Sequence, residues 1–385
     1  MNILLLNYEY PPVGGGAATA TRALAHSLTT LGHKPIVLTA RFGDLPAIAE
    51  EDGVRVIRVS SHRSRQESAS IFEMISFVLA AGSAVRRIIR SEHVDGIISF
   101  FSIPGGPVAW WAWKGTDVPY IVSLRGGDVP GAERGLHLLH TLLSPVRRQV
   151  LRSALAVVAN SEGLRTMSSR ADPVPVSVIP NGVDTDFFRP ADTTRAAGAP
   201  FRLLFVGRFQ PQKNLVWMLK QIAAVVSESV RPLELDLVGD GPQRRELEEI
   251  VKNLQHGPIV RFHGWLDRRE LRELYQAADL TLNPSLYEGM PNVVLEAMAC
   301  GCPVLASRVA GNDAVVLDGV TGWLFALGDT VAFRDRINAL IAHPEIALQF
   351  RVGSRRRAVE GFSWLKTAQS YLDLLATPHP TCQSA

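Results

Sequence analysis

Cysteine is almost missing from this chain: three residues, Cys300, Cys302 and Cys382, in 385. They are too few and too clustered for a disulfide framework, which points to a reducing, cytoplasmic setting. Cys300-Gly301-Cys302 lacks the second ligand pair of a zinc site, so no structural zinc is expected. Long apolar runs are missing too. No stretch reaches the roughly 18 uninterrupted apolar residues of a spanning helix, which leaves peripheral attachment at the inner face of a membrane open. The start, Met1-Asn2-Ile3-Leu4-Leu5-Leu6-Asn7, has no basic leader and reads as a buried strand rather than a signal peptide. Nor is there a one-signed charge excess: 40 basic residues face 37 acidic ones. That balance excludes the electrostatic footprint of a nucleic-acid partner. The small excess lies in residues 1–190, with 19 Lys/Arg against 16 Asp/Glu, while residues 191–385 carry 21 of each. No Gly-x-Gly-x-x-Gly follows the first strand, so a nicotinamide site is poorly supported.

What is present describes a globular protein of 46% apolar and 20% charged residues. Its length exceeds one ordinary core, and two domains follow. Short β-branched or Leu-rich runs (near 2–7, 35–39, 54–59, 95–99, 119–124, 154–159 and 176–179, then 202–206, 233–238, 259–263, 279–283 and 303–307) alternate with helical-period segments. These include Thr19–Leu31, Leu215–Ser227, Gln243–Gln255, Arg268–Ala277 and Asn292–Cys300. The alternation implies βαβ units and an α/β fold of parallel sheets with helices on both faces. Residues 191–200 are small, polar and bracketed by Pro190 and Pro200, which is linker chemistry. We therefore expect two Rossmann-like domains, 1–190 and from 201 onward, with a cleft between them as the default ligand site.

The second half carries the sharper motif. Val206-Gly207-Arg208-Phe209-Gln210-Pro211-Gln212-Lys213 reads as strand, turn and helix start, at the strand end that faces the crevice of a parallel sheet. Only six of the forty basic residues are lysines, so Lys213 is mildly informative. Arg208 as a fork and Lys213 as a point charge could clamp a diphosphate; standing alone, the pair is equally well read as solvated loop charge. Asn283-Pro284-Ser285-Leu286-Tyr287-Glu288-Gly289-Met290-Pro291-Asn292-Val293 follows another strand and opens a helix. The amides of Gly289, Met290, Asn292 and Val293 suit an anionic or hydroxyl-rich ligand at a helix N-terminus. Glu288 before that helix and Glu296 inside it suit sugar and ribose hydroxyls because a carboxylate, when ionised, is a pure acceptor; for Glu296 the alternative is an N-terminal-turn carboxylate favoured by the helix dipole.

The span from Glu288 through Glu296 to Pro303 closely resembles the E-x7-E signature of glycosyltransferase family 4, the retaining enzymes of GT-B fold. Val178-Ile179-Pro180-Asn181-Gly182-Val183-Asp184 resembles that family's pre-linker motif. Leu237–Pro242 and Val260–Trp265 resemble its nucleotide-side loops, and Phe362-Ser363-Trp364 the segment before its last helix. The resemblance covers nearly the whole chain. It implies that residues 201–365 bind the nucleotide sugar and that 366–385 form a helix crossing back to the first domain, plus a tail. It gives Arg208 and Lys213 to the donor diphosphate and Glu296 to the ribose. Glu288, with the loop Gly289, Met290, Pro291, Asn292 and Val293, goes to the transferred sugar and distal phosphate. It makes Gly15 and Gly16, in Pro11-Pro12-Val13-Gly14-Gly15-Gly16-Ala17, the elements facing the donor phosphates; on the residues alone that stretch is equally a tight turn.

Two positions depart from the family. Arg125, in Ser123-Leu124-Arg125-Gly126-Gly127-Asp128, stands where many relatives carry a His beside the reacting sugar, and an arginine cannot accept a proton. Arg125 is expected to bind the leaving phosphate or an anionic acceptor, with Asp128 orienting it or touching the acceptor. Ala314 stands where relatives often place a Glu, so donor-sugar preference cannot be carried over. Asp184-Thr185-Asp186 invites a metal reading, but it belongs to the turn before the linker. No metal or other cofactor is expected, since Arg208 and Lys213 are available for the diphosphate.

The expected reaction is transfer of a sugar, with retention, from a nucleoside-diphosphate donor, UDP- or GDP-sugar first, to a hydroxyl of a glycan, lipid-linked or small-molecule acceptor. An epimerase or hydrolase of the same architecture, or a non-catalytic sugar-nucleotide-binding partner, are the rival readings. Residues 71–90 and 134–152, apolar with arginines at their ends, either dock on an anionic membrane through the first domain or pack on their own sheet. Trp110, Trp111 and Trp113 suit sugar stacking or the core equally.

Overall fold

The computed structural model describes residues 1–65, 69–131, 137–192, 198–229, 231–254 and 257–377. The expected features at Arg134, Gln255 and Cys382, and linker residues 193–197, lie outside the described residues. The chain divides into two compact units, Met1–Gly182 with Trp364–Ala385, and Val183–Ser363. The division falls at Gly182, not after Pro190 as the linker composition suggests. Val183 and Phe188 belong to the core of the second unit. Arg355 there donates to the carbonyls of Thr185 and Phe188 at 2.9 and 3.0 Å.

Among the described residues the first unit is built on eight strands: β1 (Asn2–Leu6), β2 (Lys34–Ala40), β3 (Ile48–Glu51), β4 (Val54–Val59), β5 (Gly96–Phe100), β6 (Tyr120–Leu124), β7 (Ala156–Ala159) and β8 (Ser177–Val178). Their order is β3-β4-β2-β1-β5-β6-β7-β8. All pairs are parallel except β3 on β4. The antiparallel edge strand β3, of sequence IAEE, has no core-facing pattern and escapes the sequence reading. Its α-helices up to Gly182, among the described residues, are α1 (Gly16–Thr30), α2 (Ile71–Ser91), α3 (Gly106–Thr116), α4 (His137–Leu142), α5 (Ser144–Ser153) and α6 (Glu162–Ala171). The single helix expected over 134–152 is two in its described part, with Pro145 in the first turn of α5, where a missing N–H costs nothing. Strand β1 shows why both faces are covered. Ile3 and Leu5 enter the core beneath α1, Leu4 and Leu6 the core beneath α2, α3 and α5. Burial on both sides is the signature of a parallel sheet.

The second unit carries β9 (Phe201–Val206), β10 (Leu233–Val238), β11 (Ile259–Gly264), β12 (Leu280–Asn283), β13 (Val304–Ser307) and β14 (Gly322–Phe325), all parallel, in the order β11-β10-β9-β12-β13-β14. Its helices are α7 (Leu215–Glu228), α8 (Arg244–Asn253), α9 (Arg268–Ala277), α10 (Asn292–Ala299), α11 (Ala310–Val315), α12 (Thr330–Ala342) and α13 (Pro344–Gly361). The last helix, α14 (Trp364–Ala376), belongs to the first unit. It packs on α1, its Tyr371 hydroxyl lies 2.6 Å from that of Ser123, and Thr367 donates to the Pro180 carbonyl at 2.9 Å.

Strand order reverses between β1 and β5 in one sheet and between β9 and β12 in the other. Ligands of open α/β sheets bind outside the carboxyl ends of the strands at such points. Among the described residues, no helix is long and apolar enough to cross a membrane.

Candidate active site

Arg208 and Lys213 both leave the carboxyl end of β9. After Arg208 the chain makes a short 3-10 turn over Pro211–Lys213, and Asn214 enters the left-handed region at φ 57° before α7 begins. Asn is among the few residues that tolerate that conformation. The turn is bolted to the loop that follows β12: Leu286 donates its amide to the Gln212 carbonyl at 2.8 Å, and Gln212 Nε2 donates to the Tyr287 carbonyl at 2.7 Å. This brings the Lys213 ammonium onto Glu288 Oε1, with both side chains largely withdrawn from water, 14% and 8% exposed. Arg208 is half-buried at the same strand end.

Sequence reasoning missed what holds Glu288. Ser285 Oγ lies 2.7 Å from Glu288 Oε1 and 2.7 Å from Asn283 Oδ1, and its one proton serves one of them at a time. Asn283 donates to Asn312 Oδ1 at 3.1 Å, and Asn312 donates to the Ser307 carbonyl at 2.9 Å. The side chains of Asn283, Ser285 and Asn312 are buried, and a satisfied buried network fixes one geometry. The start of α11 closes the arrangement. A Cβ on Gly311 would stand 2.7 Å from Glu288 Cβ and from the carbonyls of Glu288 and Gly289, so only glycine fits. The only sequence signal was the polar run Asn283-Pro284-Ser285 inside an otherwise apolar region.

Glu296 lies on α10, whose N-cap is Pro291. It is half-buried, and Tyr275, fully buried, donates its hydroxyl to Glu296 Oε2 at 3.2 Å. Burial pushes the carboxyl up to about 7 against the opposing pull of Tyr275 and Arg268.

In the first unit the glycine run divides by role. Gly14 has φ 97°, and any Cβ there would stand 2.6–2.8 Å from the Glu9 side chain. Gly15 is exposed at the N-cap of α1, and a Cβ on it would meet nothing within 4 Å. Gly16 is the exposed first residue of the helix.

Arg125 follows β6. Its Nη1 donates to Asn181 Oδ1 at 2.6 Å, and its guanidinium sits 4.3 Å from the Phe100 ring centroid. Nε is buried without a hydrogen-bond partner, and burial lowers the pKa of the group. Asp128 orients Arg125 only through the main chain. Its Oδ1 accepts from the amides of Arg125 at 2.9 Å and Gly126 at 3.1 Å, and its Oδ2 from the amide of Ser102 at 2.6 Å. A buried carboxylate so engaged clamps the turn that carries Arg125.

Other candidates separate from these sites. Asp184 accepts from the Phe187 amide at 3.0 Å and pairs with Arg268 at 3.0 Å, a turn and a surface ion pair. Among the described residues, no group of three His, Cys, Asp or Glu could hold a metal. Cys300 and Cys302 are buried free thiols, each raised by burial. The Ala314 carbonyl accepts from Arg357 at 2.9 Å. Trp110 and Trp113 pack against the first core, while Trp111 is exposed.

Known proteins share both halves of this arrangement. The family model described as Glycosyltransferase Family 4 matches residues 14–187, and that described as Glycosyl transferases group 1 matches residues 200–343. The chain is 33% identical over 389 residues to D-inositol 3-phosphate glycosyltransferase 2 of Catenulispora acidiphila, across 94% of this chain and 89% of that protein. Among solved structures it resembles sucrose-phosphate synthase from Thermosynechococcus elongatus, with a TM-score of 0.81, 23% identity and coverage of 97% and 98% of the two chains. Anabaena HepE in complex with UDP and glucose gives a TM-score of 0.77 at 20% identity, over 98% of this chain and 100% of that one. Likenesses at such low identity establish the fold, which is GT-B.

Proposed function

The chain belongs to the group 1 glycosyltransferases of family 4, and we propose that it moves a sugar from a nucleoside-diphosphate donor to an acceptor hydroxyl with retention of configuration. The observation that carries the reading is the Lys213–Glu288–Ser285 cluster at the carboxyl ends of β9 and β12, where the second sheet reverses its strand order. Glu288 neutralises Lys213, and an incoming diphosphate competes with that carboxylate for the ammonium.

As the glycosidic bond lengthens, negative charge accumulates on the departing diphosphate. Arg208 and Lys213 are fixed cations at that place, and fixed charge stabilises the transition state more than the ground state. Glu288 and Ser285 are engaged with Lys213 and with each other, and we read, as the family implies, a same-face displacement in which the leaving phosphate assists the acceptor. Glu296 in its ionised form accepts from the ribose hydroxyls, and Arg125 supplies positive charge in the first unit for an anionic acceptor or for phosphate.

The likeness to HepE, solved with UDP and glucose, makes UDP-sugars the first donors to try. The relative named for D-inositol 3-phosphate supplies an anionic acceptor probe. The experiment is donor turnover by purified protein over UDP-, GDP- and ADP-sugars, with and without that probe. Transfer that requires an acceptor supports the reading; turnover indifferent to every acceptor marks an epimerase or hydrolase, and binding without turnover a non-catalytic partner.

A further inference from the structure

Helix α2 has two apolar stripes, and its core uses only one. Phe77, Ala81, Val85, Ile88 and Ile89 are buried against the first sheet. On the opposite side Ile71, Ile75 and Leu79 follow one another at four-residue spacing, 52%, 53% and 70% exposed, with Phe72 beside them at 65%. The same ridge continues through exposed Ser83 into exposed Arg87 and Arg90. An amphipathic surface helix turns one stripe to the core and charge to the water; this one presents a second apolar stripe with a basic end.

The neighbouring helices carry the pattern sideways. Helix α3 packs against both α2 and α5. Trp111 of α3 is exposed, with the Arg86 guanidinium 4.0 Å from its ring centroid. Exposed Lys114, Arg148 and Arg152 add positive charge from α3 and α5. Within α2, α3 and α5 the only acidic residue is Glu73. It is buried, and its carboxylate accepts from the amides of Ser70 and Ser64, which hold it down to about 2. The face therefore offers large apolar side chains and cations, and no acidic residue of these three helices faces solvent.

We propose that this face of the first unit docks on an anionic lipid bilayer, the apolar ridge of α2 entering the headgroup region and Arg87, Arg90, Lys114 and Arg152 meeting the phosphates. The charge selects the occupant: an apolar ridge made for a protein partner needs no surround of one sign, whereas a negatively charged surface rewards every cation near it. Docking would deliver the first unit to an acceptor carried on a lipid. It does not depend on the donor chemistry proposed above, and its failure would leave that reading intact.

The test is flotation of the full chain with phosphatidylcholine vesicles prepared with and without phosphatidylglycerol, without donor. We expect binding to the anionic vesicles that weakens as salt rises. Phe72→Ser/Leu79→Ser should weaken it by at least about tenfold with an unchanged melting temperature, since both side chains lie mainly in solvent. Arg87→Gln/Arg90→Gln should remove most of the preference for the anionic vesicles. Equal binding by wild type and the Phe72/Leu79 variant, or no preference for phosphatidylglycerol, overturns the proposal. So does a wild-type dimer in solution that the Phe72/Leu79 variant dissociates, because a second copy would then own the face.

Discussion

The Lys213 ammonium and Glu288 Oε1 meet within the second unit, and the Ser285 hydroxyl lies 2.7 Å from that same oxygen. The contact couples stability to catalysis. Lys213→Ala leaves a mostly buried carboxylate without its cation, a loss of about 3–5 kcal/mol for a fully buried pair and less here because part of each side chain stays wet. Glu288→Gln keeps an acceptor for Lys213 and Ser285, and should unfold at a higher denaturant concentration than Lys213→Ala. Chemical denaturation of wild type and the two variants checks this; midpoints of both variants equal to that of wild type would mean that the pair adds nothing to the fold.

Glu296 makes donor binding depend on pH. Its ionised form accepts from hydroxyl donors, and its carboxyl titrates near 7, so donor affinity should tighten as pH rises through that value and level off above it. Titration calorimetry across the range should show the trend in wild type and its absence in Glu296→Gln. The stability sign is opposite. The folded-state value lies above the ordinary 4.5, so the group favours the fold at low pH and this advantage is lost as pH rises from about 4.5 to 7. Glu296→Gln should therefore gain melting temperature relative to wild type at pH 8 more than at pH 5.

Gly14 and Gly15 should respond differently to the same methyl group. Gly14→Ala meets Glu9 and forces a side chain into a left-handed backbone, so melting temperature falls. Gly15→Ala meets no protein atom, and its melting temperature should hold while turnover drops if a phosphate approaches that amide. Unchanged turnover in a stable Gly15→Ala would reduce the run to a turn.

Arg125 is a half-buried cation held by an amide oxygen and an aromatic face. Its removal should cost little stability, whereas Asp128→Ala strips the acceptor from three amides and should cost several kcal/mol. If Arg125 reads an anionic acceptor, Arg125→Ala should lose more activity on D-inositol 3-phosphate than on a neutral polyol. Equal losses on both would argue against an acceptor role.

The parallel sheets were legible because their strands are apolar on both faces, and the donor loops because Arg208, Lys213, Glu288 and Glu296 sit at fixed distances from strand ends. What stayed hidden depends on residues brought together from afar. Asn283 meets Asn312 across 29 positions and Ser285 holds Glu288 only once the loop has closed. The shift in Glu296 comes from burial once the fold has closed around it, opposed by the hydroxyl of Tyr275, 21 residues away in sequence. Nothing local shows that the amides of Ser102, Arg125 and Gly126 converge on the two oxygens of Asp128. Helix α2 is apolar nearly all round, and periodicity alone cannot tell which stripe faces the core.

The most direct measurement is steady-state transfer from the preferred nucleotide sugar by wild type, Arg208→Ala and Lys213→Ala, each confirmed as folded. We expect kcat to fall by roughly 10²–10³-fold in either variant, the scale for losing one preorganised group at a developing charge. Near-wild-type turnover in either would contradict the assignment of the diphosphate to the carboxyl end of β9.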